Sequence, residues 1–125
     1  MFRQSVRNFG PKLVGNKIKS NLDNIREIQI QGHADPDPPS LPSNLHLAAW
    51  RAIEVFNFLQ EQVPIDPAIH LMSATSFGEF KPVQRSIQDR FYNLDKLEMH
   101  NGTDELKAQN RRIEILLFYR FEQSE

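Results

Sequence analysis

Residues 28–51 read IQIQGHADPDPPSLPSNLHLAAWR, and the fold follows from this stretch. Ile28 and Ile30 alternate with Gln29 and Gln31, the period-two pattern of a half-buried strand. Gly32 comes next, where a backbone can turn or approach another group closely. Pro36, Pro38, Pro39 and Pro42 exclude both a helix interior and a central strand, so a loop carries Asp35 away from the strand. Ser43 or Asn44 supplies the N-cap of the apolar-periodic helix that follows. A carboxylate at a strand's end (Asp35) and a guanidinium on the next helix (Arg51) can face one pocket. Such a pair suits a ligand that carries both an ammonium and a carboxylate.

Working outward, Gly32-His33-Ala34-Asp35 followed by Asn44, Leu47, Ala48, Arg51 and Ala52 resembles the GH-T-D and N-x-x-L-S-x-x-R-A pattern of OmpA-like domains. Gly78-Glu79-Phe80-Lys81-Pro82 resembles their G-x-G-E-x-x-P segment, and Asn110-Arg111-Arg112-Ile113-Glu114-Ile115 is similar to their N-R-R-V-E-I strand. The matches fall in the family's order across residues 12–119, and several motifs in order are a far stronger signal than any one alone.

The resemblance implies an α/β (α+β) sandwich in which a mixed β-sheet packs against helices. It further implies peptidoglycan binding without cleavage, through the diaminopimelate of the stem peptide. A domain of this kind anchors a larger envelope or motor protein, such as a MotB-like stator, to the cell wall. The implied setting is the periplasm, within a membrane-anchored or outer-membrane protein. By the same carry-over, Asp35 takes the diaminopimelate ammonium and Arg51 its carboxylate. Asn44 positions the loop, Gly32, His33, Ala34 and Leu47 line the site, and Asn110 with Arg111 shapes one wall. Adjacent strand residues point to opposite faces, so one of Arg111 and Arg112 faces the pocket, and the sequence leaves open which.

The chain also departs from the family pattern. Ala34 stands where Thr is usual, Ala48 where Ser is common, and the proline-rich loop is stiffer than most. The link between the last two motifs is about a dozen residues longer than usual. These departures support an alternative, a degenerate OmpA-like domain that binds protein partners instead of the wall.

With 125 residues, the chain has the length of one domain with a single core. A 10% aromatic content with nine Phe argues against disorder. A net charge of −1 gives no electrostatic case for nucleic acid or an anionic membrane. The absence of cysteine excludes disulfides and thiolate metal sites. No run of 18 apolar residues occurs, and no apolar stretch follows the basic N-terminal residues. The resemblance therefore implies that Met1 begins a fragment of a longer exported or anchored protein, with membrane association only through residues outside it. A homodimer is among the assemblies it allows.

Along the chain, residues 1–11 read as linker or as a shortened first strand, 12–120 as the domain and 121–125 as a frayed tail. A helix begins near Pro11, with Leu13, Val14, Ile18 and Leu22 on its apolar side. The spacing of Leu45, Ala48, Ala49, Ala52, Val55, Phe56 and Leu59 predicts a helix from Asn44 to about Gln62, closed by Pro64. A second strand covers 69–75. The extended segment 83–100 reads as a small helix with Ile87, Phe91, Leu94 and Leu97 turned inward. One or two helical turns over 104–109 precede a final, central strand over 111–120.

Catalytic and metal chemistry find little support. His33, Asp35, Asp37 and His46 match no zinc-ligand spacing, and prolines intervene. No cofactor signature is present. Ser73 and Ser76 lack a nucleophile elbow. Asp35 and Glu79 form a glycosidase pair only on paper, since nothing fixes their separation. The expectation is a non-enzyme in which His33 bonds loop backbone. Arg51, if it were not a ligand residue, would form an i, i+3 surface pair with Glu54.

Overall fold

The computed structural model describes residues 3–7, 11–37, 43–63 and 65–120. The expectations for the loop prolines 38–42, for Pro64 and for the tail 121–125 lie outside these residues. So do the side chains of Leu13 and Val14.

The elements run β1 (Arg3–Arg7), α1 (Pro11–Asn21), a 3-10 turn (Leu22–Asn24), β2 (Ile25–His33), α2 (Asn44–Gln62), β3 (Leu71–Ser76), α3 (Leu94–Met99), α4 (Asp104–Asn110) and β4 (Arg112–Tyr119). Four strands form one mixed sheet in the order β1-β4-β2-β3. β4 pairs antiparallel with both β1 and β2, whereas β2 and β3 are parallel. Parallel neighbours need a crossover, and α2 provides it by lying across the sheet. As expected, β4 sits inside the sheet; of the two readings left open for the N-terminal residues, 3–7 form a strand.

Strand alternation gives the sheet two different faces. Ile28, Ile30, Met72, Ile115 and Leu117 join Ala52, Leu59, Val63 and Ile18 in the core beneath α2 and α1. The other face carries Gln29, Gln31 and His33 of β2 opposite Leu116, Glu114 and Arg112 of β4. That polar row is itself buried at Gln31, His33, Glu114 and Arg112. β2 is thus covered on both sides, and its glutamines satisfy each other in part, Gln31 Nε2 donating to Gln29 Oε1 at 2.7 Å.

Gly32 is where α2 and β2 come closest. A Cβ built there would stand 2.0 Å from the Ala48 carbonyl oxygen, so only glycine permits this contact. α2 spans Asn44–Gln62 with Ser43 as its N-cap, the Ser43 hydroxyl accepting from the His46 amide.

The segment 83–100 corrects one expectation. Only Leu94–Met99 is helical, and of the four apolar residues expected inward only Leu97 is buried. Ile87 is 82% exposed, Phe91 80% and Leu94 66%. The Asn93 side chain caps α3 by accepting from the Lys96 amide, so the helix starts too late to include positions 87 and 91. Those residues lie instead in turns, held by Asp89 Oδ1 accepting from the Phe91 amide and by Arg85 donating to the Phe80 carbonyl.

Candidate functional site

The carboxyl end of β2 gathers most of the residues singled out in the sequence. The chain leaves the strand through Ala34, whose amide donates to the Gly78 carbonyl at 2.8 Å, while the Phe77 amide returns a bond to the Gly32 carbonyl at 3.1 Å. Gly78 closes this turn at φ 55, a left-handed conformation that a Cβ would strain. The turn rests on the start of α2, where Ser76 Oγ donates to the Leu45 carbonyl at 2.7 Å. β2, the β3 exit and the helix N-terminus are therefore bolted together at one point.

Asp35 emerges from that junction almost buried, at 5% exposure. Its Oδ1 accepts from the Asp37 amide at 2.9 Å, an Asx-turn that holds the start of the loop. Its Oδ2 forms an ion pair with Arg111 Nη1. Between the two neighbouring arginines, Arg111 is thus the one that turns to Asp35. Asp37 in turn pairs with Lys107 at 3.0 Å, and that bond holds the Lys107 ammonium above the usual lysine range.

Arg51 is half-buried on α2, one turn beyond Ala48. Helical side chains lean toward the helix N-terminus, which for α2 is the end beside Gly32 and the Gly78 turn. No ion pair or hydrogen bond to its guanidinium is formed among the described residues, including the anticipated pair with Glu54. Leu47 and Asn44 are half-buried in the first turn of the same helix, and the capping role falls to Ser43.

Beneath this rim lies a network that sequence reasoning missed. Arg112 donates from Nε to Glu114 Oε2 at 2.9 Å, from Nη1 to the Asn110 carbonyl at 3.1 Å and from Nη2 to the Lys81 carbonyl at 3.0 Å. His33 Nε2 lies 3.3 Å from the same Glu114 oxygen, and its ring stacks on Phe77 at 5.3 Å. The His33 side chain therefore meets a carboxylate, not the loop backbone expected. The signal was present as an alternation: Arg112 and Glu114 stand two apart on one strand, and the register sets His33 opposite Arg112.

Asn110 ties the extended segment to the sheet. Its Oδ1 accepts from the Val83 amide at 2.8 Å, and its Nδ2 donates to the His100 carbonyl at 3.0 Å and to Asn101 Oδ1 at 2.7 Å. Beside it, Phe77, Phe80, Lys81, Arg85, Ile87 and Asp89 border an open groove of about 410 Å³. No group of three or more potential metal ligands occurs among the described residues.

No family model matches the sequence. Motility protein B of Bacillus subtilis is 33% identical over 98 residues, which cover 76% of this chain and 31% of that protein. The chain thus spans about a third of the length of that relative. The periplasmic domain of Helicobacter pylori MotB superposes with a TM-score of 0.63 at 22% identity, over 90% of this chain and 62% of that one. The peptidoglycan-associated lipoprotein of Burkholderia pseudomallei superposes with a TM-score of 0.53 at 27% identity, over 88% of this chain and 74% of that one.

The chain has the OmpA-like fold. The α/β sandwich expected from the motifs is the fold observed, and the MotB periplasmic domain shares it. Of the motif residues, Asp35 from the end of β2 and Arg111 from the entry to β4 meet in an ion pair, while Arg51 stands on α2. No helix of the described residues is long and apolar enough to cross a membrane.

Proposed function

We propose that this OmpA-like domain binds peptidoglycan without cleaving it and anchors a larger protein to the wall. The observation that carries this reading is a set of two charged motif residues flanking the β2–α2 contact. A buried carboxylate, Asp35, lies beyond the β2 contact with α2, and Arg51 on α2 has no partner among the described residues. The kinship to Motility protein B and the shared fold of a peptidoglycan-associated lipoprotein supply the class of ligand. The periplasmic domain of MotB supplies the setting, outside the inner membrane.

In detail, the stem-peptide diaminopimelate places its ammonium on Asp35 and its carboxylate on Arg51, whose planar fork suits a bidentate grip that lysine does not reproduce. His33 and Phe77 support the floor, and Asn110 holds the wall from behind. A few hydrogen bonds in a shallow site give weak affinity per domain, about μM to mM, and a homodimer raises it through avidity.

The test is co-sedimentation with purified diaminopimelate-containing sacculi, comparing the parent with Asp35→Ala and Arg51→Ala. The parent is expected to pellet and both folded variants to stay in solution. A folded parent that stays in solution would remove the reading. It would favour the degenerate, protein-binding module, for which the exposed Ile87, Phe91 and Leu94 speak.

A further inference from the structure

The candidate carboxylate is already occupied. Asp35 Oδ1 is held by the Asp37 amide and Oδ2 by Arg111, while only 6% of the Asp35 side chain is exposed. An incoming ammonium has no open approach to Oδ2 while that guanidinium stays in place. Arg111 itself is loosely held: its side chain is 45% exposed, and Nη1 makes its only bond among the described residues. An arginine held by one contact at a surface leaves for water at little cost.

We propose that Arg111 is the resident counter-ion of Asp35, which a ligand's ammonium must displace, and that its release selects ligands bringing a carboxylate beside that ammonium. The charge balance explains the selection. Once an ammonium sits on Asp35, Arg111 and Arg51 are both without a partner, since Lys107 remains with Asp37. A ligand that carries only an amine leaves these two like charges uncompensated. A zwitterionic end, as in diaminopimelate, provides an anion for one or both. Arg111 thus acts as a specificity-determining residue for the binding proposed above, on which this inference rests.

The experiment measures binding of two muropeptides by calorimetric titration. One carries diaminopimelate, and the other carries lysine at the same position, keeping the ammonium and lacking the side-chain carboxylate. Both are titrated into the parent and into Arg111→Ala, with a urea midpoint confirming that the variant is folded. With the resident cation removed, affinity for the lysine muropeptide is expected to rise about fivefold, narrowing the parent's preference for diaminopimelate. A lysine muropeptide that goes from undetectable to measurable binding is the same result. Unchanged or weaker lysine-muropeptide binding by Arg111→Ala, with diaminopimelate still bound by the parent, overturns the counter-ion role alone. Failure of both proteins to bind either muropeptide overturns the peptidoglycan reading and the inference together.

Discussion

Two successive arginines each form an ion pair at this end of the sheet, and they are opposites. Arg111 reaches the rim, keeps nearly half of its side chain in water and touches Asp35 through one nitrogen. Arg112 points to the other side, is 2% exposed along its side chain, and spends every guanidinium nitrogen on Glu114, the Asn110 carbonyl or the Lys81 carbonyl. A pair of the first kind can exchange partners during binding. One of the second kind has no cheaper partner to move to, because each of its donors is matched inside the protein. One residue of register separates a movable contact from a structural one.

The largest effect is expected where that buried pair is broken. Glu114→Ala leaves the Arg112 guanidinium without its anion in a buried place and removes the neighbour of His33. Loss of one partner of a buried pair typically costs about 3–5 kcal/mol, against a total stability of about 5–15 kcal/mol for a domain. Urea denaturation of the variant is the check. A cost under about 1 kcal/mol would erase the contrast between the two arginines.

Next comes the junction that both pairs depend on. Gly32→Ala sets a methyl carbon 2.0 Å from the Ala48 carbonyl, so α2 must lift from the sheet. Overpacking of this severity is expected to cost about 3 kcal/mol and, by shifting Arg51 relative to Asp35, to abolish binding to sacculi as well. Thermal unfolding and co-sedimentation on the same sample read both. A stable variant that still binds would mean that the rim does not rely on this contact.

The origin of this junction shows how much the sequence could reveal. The helix Asn44–Gln62 and the strand around Ile28–Gln31 were legible because hydrophobic periodicity is a local property of a chain. Asp35 and Arg51 were legible as candidates because they occupy motif positions. The partners of Asp35 and Glu114 were not, since they depend on the register between β2 and β4, strands about 80 residues apart in the chain. The segment 83–100 misled for a related reason: its apolar spacing of four and then three residues at 87, 91 and 94 suggested a helix face. The Asn93 cap, the Arg85 and Asp89 hydrogen bonds and the Asn110 clamp, all polar, set its path instead. Apolar spacing predicts burial only where the segment is long enough to form the helix it implies.

Asn110 sharpens the division between wall and ligand contact. Asn110→Ala strips three hydrogen bonds from a residue that is 2% exposed and is expected to cost about 2 kcal/mol. Hydrogen exchange should show the loss locally, with the Val83 amide losing protection first because Asn110 Oδ1 is its acceptor. Muropeptide affinity measured below the unfolding transition is expected to change little. A large drop in affinity with Val83 still protected would move Asn110 from scaffold to ligand contact.

The smallest change in stability is expected at Arg111, although the effect on binding is the more informative one. Arg111→Ala removes a single contact, and the freed Asp35 keeps its bond to the Asp37 amide. Exposed pairs are worth about 0–1 kcal/mol, and burial of Asp35 pushes this one toward the upper end of that range. Measured by urea alongside Arg112→Ala, it should therefore fall several-fold below its neighbour. Near-equal costs would mean that Asp35 needs Arg111 for the folded state itself. The guanidinium would then be too tightly held to give way to a ligand, and the rim would be as structural as the network beneath it.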